Sequence, residues 1–162
     1  MSLTTRQPTA NESPDTTQGG GAVAVNSPSN TGHGSTTVAV GTPIATCRWS
    51  GFAAVAGSKT SVRLKANWTR NGTVPGGTSN AFTFEYSLNG GSSWATAFQF
   101  LNVSGPASGS LDIALTPTPQ DITQIQVRDN LTEIGITANL TGSISDITLE
   151  VTTQDAQPIV LW

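Results

Sequence analysis

Charge is scarce in this chain of 162 residues, which has 7 Lys and Arg against 10 Asp and Glu and a net charge of −3. Charged residues make up 10% of the sequence, whereas a typical globular domain devotes about a quarter of its residues to them. Cations this few and this dispersed do not form the basic patch that binds nucleic acid. We therefore expect no nucleic-acid partner, and a surface so poor in charge suits faces that partners or sugars cover.

Cysteine and histidine occur once each. Cys47 has no second cysteine to pair with, so folding needs no oxidising compartment, and one thiol with one imidazole cannot make a zinc site. His33 lies in a glycine-rich stretch, where a general base is poorly fixed. The carboxylates Glu85, Asp112 and Glu150 show no spacing that pairs them for glycosidase chemistry. We predict a protein that is not an enzyme and that uses no cofactor or metal.

Long apolar runs are also missing. None approaches the roughly 18 residues of a membrane span, and no basic start leads into an apolar segment as it does in a secretory leader. We therefore expect no membrane contact and a chain that is made and folded in a cytosol.

Residues 1–35 hold little that could form a core. The segment is rich in Ser, Thr, Asn, Gly and Pro, and only seven of its residues are apolar. Ordering a backbone costs about 1–2 kcal/mol per residue, which such a composition cannot offset by burial. We predict an extended low-complexity arm over 1–35 that gains its shape from neighbouring subunits, followed by one folded domain over 36–162. The candidate partner contacts are Leu3, Arg6, Val23, Val25 and, at the other end of the chain, Trp162.

The last four residues, Ile159–Trp162, are apolar after a polar tail. Chain ends fray unless something holds them. Trp162 therefore belongs either to a final strand packed on this domain or to a plug that inserts into a neighbouring subunit.

From residue 36 onward the pattern is one of β-strands. Apolar and polar residues alternate in Thr60–Trp68, Ala81–Leu88 and Ile144–Thr153, which is the period of a half-buried strand. Turns of Gly, Asn and Pro separate these runs from others. The other predicted strands are Thr36–Val40, Ile44–Ser50, Phe98–Val103, Leu111–Leu115, Ile122–Val127 and Glu133–Leu140. The predicted fold is all-β, an antiparallel β-sandwich of jelly-roll or immunoglobulin-like order, preceded by the extended arm.

One short motif lies at Ser87–Trp94, with the sequence Ser-Leu-Asn-Gly-Gly-Ser-Ser-Trp. It resembles the Asp-box of sialidases and related proteins, with Asn89 in place of the Asp and Ser93 in place of the Thr. The resemblance implies a β-hairpin turn that a short polar side chain caps while the Trp packs beneath, and it implies no catalysis. Asn-Gly-Gly between two alternating segments also predicts a hairpin on its own.

The four tryptophans make carbohydrate binding a second possible function. Carbohydrate-binding modules stack sugar rings on exposed Trp or Tyr side chains held by a β-sandwich. Trp68, Phe82 and Phe84 have the parity of the apolar face and are predicted to lie in the core. Trp49 and Trp94 are therefore the candidate glycan-binding residues, and a carbohydrate-binding module is the alternative function.

A broader resemblance covers residues 60–153. It rests on a strand that ends in Asn67-Trp68-Thr69 and on the runs Phe82–Trp94, Asp121–Asp129 and Ser143–Val151. Together these are similar to a β-sandwich domain of tailed-phage structural proteins. The resemblance implies a virion protein that serves in capsid decoration or in tail, neck or fibre attachment, with its arm lacing onto neighbouring subunits.

The expected partners follow from that resemblance. They are other virion proteins and further copies of the chain in a homo-oligomer, with a trimer as one option. The expected location is the virion, assembled in the host cytoplasm. The two functions are compatible if a domain on the particle also touches cell-surface glycans.

Overall fold

The computed structural model describes residues 1–12, 36–38, 45–74, 79–134 and 139–154. Its strands are β1 (Ser2–Arg6), β2 (Ala10–Glu12), β3 (Thr36–Val38), β4 (Ala45–Ser50), β5 (Lys59–Thr73), β6 (Ser79–Ser87), β7 (Ala95–Leu101), β8 (Ala107–Ala114), β9 (Gln126–Ile134) and β10 (Asn139–Thr153). A 3₁₀ turn, Ile122–Gln124, precedes β9. None of the described segments is a helix with the length and hydropathy of a membrane span. Val23, Val25, His33 and Trp162 lie outside the described residues.

The strands form two sheets. The first sheet has the order β1-β10-β5-β8, with β3 also paired to β10, and the second sheet has the order β2-β4-β9-β6-β7. Each pairing is antiparallel. From β7 onward the chain changes sheet with every strand. The predicted all-β antiparallel sandwich is confirmed.

Alternation along β5 builds the inner face of the first sheet. Val62, Leu64 and Ala66 are buried, whereas Arg63 and Lys65 between them are partly exposed on the outer face. Successive side chains of a strand point to opposite faces, so the period-two pattern of the sequence sorts apolar and charged groups as predicted.

The partner strand β10 interrupts its alternation with a bulge opposite Ala66. The pairing register shifts just after Ser145, and Asp146 there has a φ of 53°, a left-handed conformation that Asp tolerates better than most residues. Because the bulge inserts one extra residue, Ile144 and Ile147 both point into the core. Asp146 is turned to the outer face, where it is exposed.

The core between the sheets is aromatic and aliphatic. Its largest fully buried side chains are Trp49, Phe52, Phe82, Phe84, Leu64, Leu115, Ile122, Ile125, Ile144 and Ile147. Burial of a side chain of this size stabilises the fold by about 1.5–3 kcal/mol relative to exposure. Members of both sheets and of the loops at their ends thus share one cluster.

The N-terminal residues pair within their own chain. β1 lies antiparallel to the end of β10, and β2 lies antiparallel to β4. Arg6 also donates its Nε hydrogen to the carbonyl of Ala53 at 3.2 Å and a second guanidinium hydrogen to that of Ala54 at 3.4 Å. For residues 2–6 and 10–12 the expectation that neighbouring subunits order the arm is therefore wrong. These residues are ordered by backbone pairing at a sheet edge, which needs no apolar side chains. The boundary at residue 35 stays a prediction, since residues 13–35 lie outside the described residues.

The predicted strand Ile122–Val127 begins instead as the 3₁₀ turn. Asp121 caps this turn, and its carboxylate accepts a hydrogen bond from the backbone N–H of Thr123 at 3.0 Å. Ile122 and Ile125 are both buried, and their spacing of three is that of a 3₁₀ turn rather than of a strand. The chain enters β9 only after them.

The predicted strand Glu133–Leu140 is divided between two elements. β9 ends at Ile134 and β10 begins at Asn139. β9 belongs to the second sheet and β10 to the first, so the ends of the predicted strand lie in two different strands of different sheets.

Trp68 packs beside the core, and the backbone of the neighbouring strand β8 lies close to its ring. Its ring centroid lies 4.6 Å from that of Phe100 and 5.9 Å from that of Phe98. Gly109 is its register partner in β8, and a Cβ built on Gly109 would lie 2.6 Å from Trp68 Cζ2. The absence of a side chain at residue 109 is therefore what makes room for the indole.

We predict that Gly109→Ala destabilises the fold by about 1–3 kcal/mol, the usual cost of overpacking. The free energy of unfolding in urea is the measurement. Ser108→Ala, at the exposed neighbouring position, is the matched control and should change stability by no more than about 0.5 kcal/mol. Equal losses in the two variants would contradict the packing of Trp68 under Gly109.

Candidate functional site

The structure separates the two tryptophans proposed for glycan contact. Trp49 is 1% exposed, so the proposed contact there is wrong: its place on β4 faces the core. Trp94 is half-buried just after the turn that joins β6 to β7. Among the candidate partner contacts, Leu3 is 65% exposed on β1. The guanidinium of Arg6 donates to carbonyls of its own chain, and its contact with a partner stays a prediction.

The turn between β6 and β7 is held by side chains. Asn89 Oδ1 accepts hydrogen bonds from the backbone N–H of Ser93 and from the hydroxyl of Ser87, both at 2.9 Å. Asn89 Nδ2 donates to Ser93 Oγ at 2.8 Å. The Ser87 hydroxyl in turn accepts from the N–H of Gly91 at 2.9 Å, where φ is 87°. Bonds of a short amide to nearby backbone groups are what make Asn suitable for a turn, and here they fix the chain just before Trp94.

The indole of Trp94 lies against the outer face of the second sheet. Arg128 Cζ is 4.1 Å from the ring centroid, and Arg48 Cζ is 5.6 Å from it. These arginines are register partners on β9 and β4, and they alternate with the buried Trp49 and Val127. A guanidinium over an indole face is a favourable cation–π contact. Trp94 is thereby held in place while part of it stays in contact with solvent.

A row of planar polar groups continues from Arg128 across the sheet. Arg128 Nε donates to Glu85 Oε2 at 2.6 Å, and Asn130 Nδ2 donates to the same oxygen at 2.7 Å. The side chain of Glu85 is 17% exposed and that of Arg128 is 26% exposed. One strand further, Gln99 Nε2 donates to Thr83 Oγ1 at 3.1 Å. We call Glu85, Arg128 and Asn130, together with Trp94, the Trp94 face.

The Trp94 face offers hydrogen-bond donors and acceptors at fixed positions. Each donor is oriented by its neighbour, so few rotamers remain to be ordered when a ligand binds. The carboxylate of Glu85 is ion-paired with Arg128 and accepts a hydrogen bond from Asn130, so its position is fixed from two sides.

The outer face of the first sheet carries a separate ion-pair network. Arg63 Nε bonds Asp112 Oδ1 at 2.7 Å, Lys65 Nζ lies 3.7 Å from Asp112 Oδ2, and Lys65 bonds Glu150 at 2.7 Å. The hydrogen bond from Arg63 lowers the pKa of the Asp112 carboxyl below its ordinary 3.8. The hydrogen bond to Glu150 raises the pKa of the Lys65 amine above its ordinary 10.5. The Asp112 carboxylate and the Lys65 amine therefore stay ionised through the neutral range.

Sequence reasoning missed most of the Trp94 face. It named Glu85 but paired it with nothing, and it did not connect Arg128 or Asn130 with a glycan site. Their meeting depends on the register between β6 and β9, in which Glu85 lies opposite Arg128. The alternation of each strand fixes the face on which a side chain lies, but not which residue of the neighbouring strand lies opposite it. In the described part of the chain, no three His, Cys, Asp or Glu side chains come together as a metal site.

We predict that Asn89→Ala lowers the free energy of unfolding by about 1 kcal/mol, the net value of a typical hydrogen bond. The variant removes the acceptor that binds Ser93 and Ser87. Asn89→Asp keeps that acceptor and should lose less stability in the same urea titration. A larger loss in the Asp variant than in the Ala variant would contradict the capping role of Oδ1.

The ion pairs of Asp112 make a prediction about pH. Because its folded-state pKa is depressed, the carboxylate stabilises the fold above its ordinary pKa of 3.8, and this contribution is lost as the pH falls through the lower folded value. Asp112→Asn should lower the unfolding free energy at neutral pH by at most about 1 kcal/mol, since the pair is half exposed. Urea titrations should show the gap to wild type closing in acid. A gap that persists there would assign the loss to something other than ionised Asp112.

Comparisons with known proteins give no family. No family model and no curated protein matches the chain. Among solved structures, a CBM4 module is 13% identical over 93% of this chain and 94% of that one, with a TM-score of 0.41. The N-terminal cellulose-binding domain of Cellulomonas fimi β-1,4-glucanase C is 11% identical over 91% and 98%, with a TM-score of 0.40. TmCBM61, solved with β-1,4-galactotriose, is 10% identical over 91% and 86%, also with a TM-score of 0.40. Likeness at this level establishes no family and carries no argument about function.

Proposed function

We propose that this chain is a non-catalytic carbohydrate-binding module that holds a neutral glycan on the Trp94 face. The observation that carries the proposal is the partly exposed indole of Trp94 beside planar polar groups already fixed by their own hydrogen bonds. An aromatic body next to convergent hydrogen-bonding groups is the usual make-up of a site for an amphipathic ligand.

The chemistry of a sugar ring matches both parts of this face. Its C–H groups form an apolar patch that can pack on the indole of Trp94. Its hydroxyl groups both donate and accept, so they can meet the carboxylate of Glu85 and the amide of Asn130. Glu85 and Arg128 compensate each other's charge, which favours a ligand without charge.

The role in a phage particle, the homo-oligomer and the virion location stay predictions. They follow from the resemblance over residues 60–153 and from the expected arm, and part of that arm pairs with its own domain. Leu3 remains exposed and can still meet a partner. A module of this kind on a particle surface would serve attachment to glycans, so the two functions do not exclude each other.

The test is a titration of the purified chain with a panel of soluble glucose, galactose, mannose and N-acetylglucosamine oligomers, followed by tryptophan fluorescence and calorimetry. We expect at least one series to bind and to change the emission. Trp94→Ala should weaken binding by at least about tenfold, or about 1.4 kcal/mol, because it removes the stacking surface. Trp94→Phe should keep part of the affinity, since a ring remains.

The matched control is Leu3→Ala, which also trims an exposed apolar side chain but on the other sheet. It should bind as wild type does. Urea unfolding of each variant separates lost binding from lost folding. The proposed site is overturned if no sugar in the panel binds, or if Trp94→Ala folds and binds as tightly as wild type.

A further inference from the structure

A groove runs along the outer face of the first sheet, away from Trp94. It encloses about 270 Å³ and is lined by Lys65, Ala66, Asn67, Ser110, Leu111, Asp112 and Asp146. The side chains of Ala66 and Leu111 belong to the core cluster or pack against it, so these residues give the groove a floor of strand backbone. The remaining five lining residues all present polar groups.

The bulge in β10 shapes one wall of this groove. It turns Asp146 outward, where Asn67 Nδ2 donates to Asp146 Oδ2 at 2.8 Å and Ser145 Oγ donates to the same oxygen at 3.2 Å. The opposite wall is Asp112, held by Arg63 at 2.7 Å. The walls are thus positioned before any ligand arrives.

The charge distribution narrows the class of ligand. A metal cation would have to compete with Arg63 and Lys65 for Asp112. An anion would meet the two carboxylates of Asp112 and Asp146. A neutral ligand with several hydroxyl groups meets neither obstacle, because it can donate to the carboxylates and accept from the amine of Lys65.

We infer that this groove is a second binding site, for a single neutral sugar ring. The size agrees, since the groove lies just below the roughly 300–1,000 Å³ of pockets that take drug-sized ligands. The class of ligand is taken from the proposed function. The site itself is argued from residues that do not belong to the Trp94 face. Because the groove and the Trp94 face lie on opposite sheets, one molecule would bind two glycan chains at once and bridge them.

The experiment uses amide chemical shifts of the full-length chain, in wild type and in Trp94→Ala. The probes are glucose, galactose, mannose, N-acetylglucosamine and their soluble oligomers. We expect at least one probe to shift the amides of Lys65, Asn67 and Ser110 in both proteins. Ser110→Arg places a long side chain in the groove and should weaken this response by at least about tenfold.

Ser108→Arg is the matched control, because residue 108 is exposed on the same face of β8 but does not line the groove. It should leave the response unchanged. The inference is overturned if no probe shifts the groove amides, if Ser110→Arg responds as wild type does, or if calcium or phosphate shifts them at lower concentration than any sugar. Bridging adds a second readout: a soluble polysaccharide that binds should be aggregated by wild type and not by either single-site variant.

The two proposals fail separately. If a sugar changes the Trp94 signal but shifts none of the groove amides, the groove site is contradicted and the proposed function is retained. If a sugar shifts the groove amides and Trp94→Ala does not change the affinity for sugar, the site at the Trp94 face is contradicted and the groove site is retained.

Discussion

The pairing of β5 with β10 is the interaction on which the rest of the structure depends. Both strands have 15 residues, and they lie at the centre of the first sheet. Their inner faces supply buried side chains such as Leu64 and Leu149 to the shared core. A slip of one residue along either strand would move every side chain of that strand to the opposite face and drive Lys65 or Glu150 into the core. The bulge at Asp146 is one of two places where the register of this pairing shifts, and Asp146 lines the groove.

Among the residues that the structure describes, most of the Arg and Lys side chains make contacts within the chain. Arg6 holds two backbone carbonyls, and Arg70 Cζ lies 4.9 Å from the centroid of the Phe100 ring. Arg48 and Arg128 lie by Trp94, while Lys65 and its neighbours pair with carboxylates. A low net charge combined with paired ions gives little long-range field. Recognition by this surface would therefore act through hydrogen bonds and stacking at short range, which is the chemistry of a neutral ligand.

The sequence predicted those parts of the fold that depend on local alternation. The strands over Thr60–Trp68 and Ile144–Thr153 were found because their period of two is carried by apolar side chains. β1 was missed because it is an edge strand of Ser and Thr, whose pairing is made by backbone groups that leave no pattern. Of the Trp94 face only the indole was predicted, because Trp94 could be nominated by residue type. Glu85 and Arg128 are 43 positions apart, and only the strand register brings them together.

The distribution of exposed apolar side chains helps to distinguish a subunit interface from a glycan-binding surface. Subunit interfaces bury about 800 Å² on each partner, with an apolar and often aromatic centre. Among the described residues the large exposed apolar side chains are Met1, Leu3 and Leu101. Met1 and Leu3 lie at one edge of the first sheet and Leu101 on an edge strand of the second, so they do not make one such centre. The polar outer faces carry groups that are already oriented, which suits a small hydroxylated ligand better than the flank of another subunit. If this domain assembles into a larger particle, the contacts that hold it must therefore be mainly polar, or must come from the parts of the chain beyond those described.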